Sequence, residues 1–111
     1  MNFSVSEKAG IVLLSLKGKI MGGPEATEIN DKINQLLDEN KLKIIMDLKQ
    51  VEWINSSGIG ILINTNTVLR NNYGSLRLIC LSDKIKNLLK ITKLDTIFKI
   101  FDTYKDALAS F

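Results

Sequence analysis

Lys43-Ile44-Ile45-Met46-Asp47-Leu48 is a near-continuous apolar run of strand length, and it restricts the fold more than any other stretch of these 111 residues. A strand with one wet face alternates polar and apolar residues. A run that does not alternate needs cover on both faces, as in a central parallel strand flanked by helices. The flanking sequence supplies that cover. Gly22-Gly23-Pro24 breaks extension, and Pro24 with Glu25 and Glu28 suits a helix start. Ile29, Ile33, Leu36 and Leu37 then form one face of a helix ending near Asn40.

The same periodicities order the remaining elements. Phe3 to Ser6 and Ile11 to Leu16 read as a hairpin turning at Lys8-Ala9-Gly10. Ile59, Leu62, Ile63, Asn66 and Leu69 fall at helical spacing before a stop at Asn71 to Gly74, although Asn64 to Thr67 are poor helix formers. A strand over Ser75 to Leu81, a helix capped by Ser82 and carrying Ile85, Leu88 and Leu89, a strand over Ile97 to Phe101 and a helix from Thr103 complete the chain. The order is β-β-α-β-α-β-α-β-α. It predicts one α/β domain with a four- to five-stranded mixed sheet and about four helices.

Composition narrows the function. There is no histidine, which removes the usual base beside a serine nucleophile and a common metal ligand. A serine-lysine pair would need a desolvated lysine, whereas Lys49 lies in a polar stretch that suggests an exposed turn. Gly58-Ile59-Gly60 is half of a dinucleotide fingerprint, and no phosphate loop of the G-x-x-x-x-G-K-[ST] type occurs. No catalytic residue, metal or cofactor is expected. The net charge of +3 is spread along the chain without a dense basic run, against direct nucleic-acid binding. Neither a span of about 20 apolar residues nor a secretory leader is present, so no membrane contact and a cytoplasmic location are expected. Cys80, the single cysteine, reads as a buried, inert thiol.

Asn55-Ser56-Ser57-Gly58 is the unusual feature, lying where the central strand, after an excursion through Val51 to Ile54, hands over to the second helix. Two readings stand. Asn and Ser are preferred helix N-caps and need no further role. Alternatively, a phosphate on a serine here would meet free backbone N–H groups, and Gly58 and Gly60 would let another protein approach the hydroxyls. Trp53 is either an interface anchor or a partly buried core residue. Ile61 and Val68 form either an exposed docking strip or ordinary packing.

The run "IIMDLKQVEWINSSGIGILI", preceded by "VLLSLKGKI" and followed by "LRLICLSDKIKNLLKITKLDTIFKIFDTYKDAL", closely resembles the STAS domain of bacterial anti-sigma factor antagonists over nearly the whole chain. The resemblance implies a single STAS domain over residues 1–111, with no enzymatic activity. It implies phosphorylation at Ser56 by an anti-sigma factor serine kinase, with Ser57 as second choice, and reversal by a serine phosphatase. The unphosphorylated form would bind the anti-sigma factor through Asn55, Ser56, Ser57, Gly58, Gly60 and Ile61 and so free a sigma factor. A monomer is implied. Two positions depart from the family pattern, Asn55 before the serine and Met21 after the second strand, each where an aspartate is usual. They favour an alternative, a non-switched interaction or scaffold domain of the same fold. Asp47, which the family shares, is either part of the switch or a strand-end hydrogen-bonding residue.

Overall fold

The computed structural model describes residues 2–111. Its elements are β1 (Asn2–Lys8), β2 (Ile11–Ile20), α1 (Pro24–Asp38), β3 (Lys43–Ile54), α2 (Ser56–Asn71), β4 (Ser75–Ile79), α3 (Asp83–Ile91), β5 (Lys99–Phe101) and α4 (Tyr104–Ala109), with a 3-10 turn at Leu94–Thr96. The five strands lie in the order β1-β2-β3-β4-β5. The β1-β2 hairpin is antiparallel, and every later pairing is parallel. This is the mixed α/β sheet that the periodicities predict, with β3 at its centre.

The apolar run of β3 is covered on both faces. Ile44, Met46 and Leu48 join Val12, Leu14 and Leu16 of β2 in the main core, beneath Ile29 and Ile33 of α1, Leu62 and Leu69 of α2, and Ile85 and Leu89 of α3. Ile45 points to the other side, where Ile79 and Ala107 of α4 form a smaller core. Three helices therefore share one face, and α4 alone covers the centre of the other.

Several boundaries differ from the sequence-based expectation. β3 does not end at Leu48; it runs unbroken to Ile54, twelve residues beside the ten of β2. Two bulges absorb the excess, because Ser15 and Lys17 face Asp47 and Gln50, then Gly18 and Lys19 face Val51 and Trp53. Asp47 sustains the first bulge by accepting the Lys49 N–H at 2.9 Å, so Lys49 is exposed within a strand and not in a turn. β4 stops at Ile79 because Cys80 adopts a left-handed backbone, φ 57°. β5 is short because the 3-10 turn occupies the residues before it. Cys80 is half-buried, and burial, then the Asp47 charge, raise its thiol pKa, which keeps it a weak nucleophile at neutral pH.

Arg77 joins α4 to the sheet. It lies on β4 at 4% exposure, without a carboxylate partner among the described residues. Its Nε donates to the Ser110 hydroxyl at 2.8 Å and its Nη2 to the Ser110 carbonyl at 3.2 Å. Nη1 donates to the Ser75 hydroxyl, and the guanidinium lies 4.2 Å from the Phe111 ring centroid. Burial lowers its pKa, yet a guanidinium stays charged at neutral pH and must keep these acceptors. Arg77→Ala removes hydrogen bonds to a buried cation and the ring contact, and should destabilise the fold by about 2–3 kcal/mol in denaturant unfolding. Amide exchange in Tyr104–Ala109 should accelerate more than in α1. Equal acceleration in both helices would mean that Arg77 does not hold α4 specifically.

Candidate functional site

The site grows from one residue, Asn55. Its extended backbone, φ −100° and ψ −176°, ends β3 and starts α2, and its side-chain oxygen accepts the Gly58 N–H at 2.8 Å. This is an N-cap, which satisfies one of the orphan donors of the first helical turn. The other half of the carboxamide is also engaged. Nδ2 donates to the Met21 carbonyl at 3.2 Å, while the Met21 N–H donates to Glu25 Oε2 of α1 at 2.8 Å. Both backbone polar groups of Met21 are thus held by side chains from two helices. An aspartate at position 55 could cap α2 but could not donate to the Met21 carbonyl.

Close packing fixes the same corner. A Cβ built on Gly58 would lie 2.1 Å from the Ile20 carbonyl oxygen and 2.7 Å from Ile54 Cγ1, so only glycine lets the first turn of α2 rest on the end of β2. The Asn55 N–H donates to that same carbonyl at 3.3 Å. Gly22, with φ 89°, passes over Ser57 so closely that a Cβ would meet the Ser57 Cβ at 2.7 Å. The turn between β2 and α1 is therefore seated on α2, beside the serines.

Ser56 and Ser57 are exposed, and neither hydroxyl bonds to another of the described residues. Ser56 is the first residue of a 16-residue helix and lies inside it, not before it. The Gly58 N–H is taken by the Asn55 side chain and the Ile59 N–H by the Asn55 carbonyl at 2.9 Å. The N–H groups of Ser56 and Ser57, at the first two positions of the helix, have no acceptor among the described residues. Together with the positive end of the helix macrodipole, they favour negative charge at this spot.

The other expected residues divide. Gly60 is exposed, and a Cβ there would meet nothing within 4 Å, so no packing inside the chain requires glycine. Gly58 and Ile61 are buried, Ile61 at 5% exposure, which corrects the expectation that both lie on an open surface. The exposed strip through Ile61 and Val68 is absent, because α2 is wedged between the sheet and α1 and is covered on most sides. Trp53 is half-buried, with Lys84 Nζ 4.3 Å from its ring centroid, a cation-π contact. Asp47 is engaged in the β3 bulge. Sequence reasoning missed Glu25 as a clamp on Met21 and Gly22 as a packing residue; the signal was an acid in the first turn of α1, read only as complementing the helix dipole. Among the described residues no group of three or more His, Cys, Asp or Glu could hold a metal, and no helix is long and apolar enough to cross a membrane.

The chain as a whole is similar to known proteins. The family model described as the STAS domain matches residues 2–107. A Thermotoga maritima protein provisionally named as an anti-sigma factor antagonist is 31% identical over 75 residues, 68% of this chain and 66% of that protein, a little under two thirds of its length. The anti-sigma-F factor antagonist RsfB of Mycobacterium tuberculosis is 25% identical over 105 residues, 95% of this chain and 84% of that one. Among solved structures, a Thermotoga maritima protein with the same provisional name superposes with a TM-score of 0.88 at 25% identity, covering 97% of this chain and 92% of that chain.

Two glycines separate internal packing from surface. Gly58→Ala should cost about 3 kcal/mol or more in denaturant unfolding, because backbone lies in its way. Gly60→Ala should stabilise by about 0.5–1 kcal/mol, since alanine is the better helix former and has room. Equal effects at the two positions would contradict the packing described.

Proposed function

The chain belongs to the STAS domain family, and from that premise we propose that it is an anti-sigma factor antagonist switched by phosphorylation at Ser56. The observation that carries the reading is the first turn of α2, where an exposed serine hydroxyl stands beside two N–H groups without acceptors among the described residues and a glycine that the fold itself does not need. The unphosphorylated protein binds an anti-sigma factor serine kinase over Asn55, Ser56, Ser57 and Gly60, with Met21 at the rim; Gly58 and Ile61 support this surface from below. The kinase then modifies Ser56, and a serine phosphatase restores it. The protein acts by binding, in the cytoplasm, and not as an enzyme.

Charge explains the release. A phosphoserine carries about −1.5 to −2 charge at pH 7. In the free protein it stays in water, and the end of α2 favours it by about 0.3–1 kcal/mol. In a complex packed onto Gly60 the same dianion would be desolvated, at a cost of several kcal/mol unless the partner supplies a cation. The difference in sign separates the two states.

A second reading, a non-switched scaffold, is favoured by one specific observation. Asn55 and Met21 stand where the family usually has aspartates, and here the Asn55 amide binds the Met21 carbonyl. The two readings part in simple experiments. Phosphopeptide mapping after treatment with the kinase recovered by co-purification should place the phosphate at Ser56; modification chiefly at Ser57, or at neither serine, contradicts the switch. In calorimetric titration against that partner, Ser56→Asp should bind at least about tenfold more weakly than Ser56→Ala, with both variants folded. Equal affinities would favour the scaffold. Gly60→Leu should fold normally and lose most of its affinity, and unchanged binding would remove Gly60 from the interface.

A further inference from the structure

A cleft of about 350 Å³ opens at the opposite end of α2, between its last two turns, the start of β4 and the approach to β5, and is lined by Asn66, Arg70, Gly74, Ser75, Leu76, Ile97 and Lys99. The helical rise puts Arg70 about 21 Å along α2 from Ser56, so the cleft is separate from the proposed switch and does not rest on it. We propose that this cleft is a binding site for a small organic dianion, a carboxylate or phosphate carried on a short apolar body.

Asn66 is the first reason. It sits on the core-facing side of α2 at 6% exposure and takes no hydrogen bond from any described residue. Yet no fully buried side-chain nitrogen or oxygen among the described residues lacks a partner. The Asn66 carboxamide atoms therefore reach solvent, and Asn66 lines this cleft. With no protein partner to displace, its donor and acceptor are available to a ligand that enters the cleft.

Charge is the second reason. Arg70 and Lys99 enter the cleft from two different elements, and neither forms an ion pair among the described residues. The carboxyl end of a helix ordinarily repels an anion. Here the end carbonyls are already engaged: Gly74 N–H donates to the Leu69 carbonyl at 2.6 Å, Tyr73 N–H to Arg70 at 3.2 Å and Asn72 Nδ2 to Val68 at 2.8 Å. Two cations thus dominate the field. Arg70 offers a planar fork suited to two anionic oxygens, Asn66 a donor at the inner wall, and Ile97, 45% exposed, an apolar side for the ligand's carbon body.

The test is titration of the ¹⁵N-labelled full chain with succinate and, separately, with glycerol 3-phosphate, at fixed ionic strength because exposed charges are screened by salt. Saturable amide shifts confined to residues around Asn66, Arg70, Gly74 to Leu76 and Ile97 to Lys99 are expected with at least one probe, and the tighter one identifies the anionic group. Arg70→Gln and Lys99→Gln should each weaken binding at least about tenfold, the loss of one charge-assisted contact, while Lys90→Gln should not. Asn66→Leu should abolish binding and leave the melting temperature equal or higher. Shifts that rise linearly with both probes, or survive both cation substitutions, overturn the proposal. So does an Asn66→Leu variant that is destabilised but binds as before, since Asn66 would then serve the fold.

Discussion

The approach of the first turn of α2 to the end of β2 is the contact on which the rest of the functional corner depends. A helix axis normally keeps a side chain's width from a neighbouring strand; here a Cβ on Gly58 would lie 2.1 Å from the Ile20 carbonyl oxygen. Removing that side chain lets Asn55 cap α2 and still reach Met21 with its amide nitrogen. It also brings the β2-α1 turn over Ser57. Three chain segments are thereby locked to one another with ordinary hydrogen bonds and one steric exemption. The serines then stand on a rigid base, which is what a recognition surface requires if binding is not to be offset by ordering.

The sheet behind this corner holds α2 in position along its length. β3 is covered on both faces, and Ile59, Leu62 and Leu69 of α2 pack into the main core. The helix cannot tilt at Ser56 without disturbing that core. A local change of charge at the first turn would thus be felt mainly by whatever docks there and little by the fold.

Much of this was legible in the sequence because periodicity reports burial. The alternation and spacing of apolar residues gave five strands and four helices in the right order, and Asn55 as a cap follows from residue preference alone. What escaped depends on contacts across the chain. Lys49-Gln50 looked like a turn because polar pairs usually are, yet Asp47 turns the pair into a bulge within a continuous strand. For Ile61 the sequence left an exposed strip and ordinary packing open, because helical spacing distinguishes only one buried face; packing holds, since α2 is enclosed by the sheet and by α1 together. Gly58 and Gly60 look alike in sequence; only the position of Ile20 separates the glycine that the fold needs from the one it does not. Asn66 carried its signal openly, as a polar residue at a core position, but the cleft it lines is formed by segments distant in sequence.

The central claim is that phosphate at Ser56 acts as a local charge on a fixed platform. Comparing amide chemical shifts of the ¹⁵N-labelled protein before and after stoichiometric phosphorylation at Ser56 tests it most directly. The account predicts changes confined to Met21 to Gly23 and to the first two turns of α2, with slow exchange of the β3 amides preserved. Shifts spreading through β3 and β4, or loss of protection along α2, would contradict it and make the switch a rearrangement of the fold.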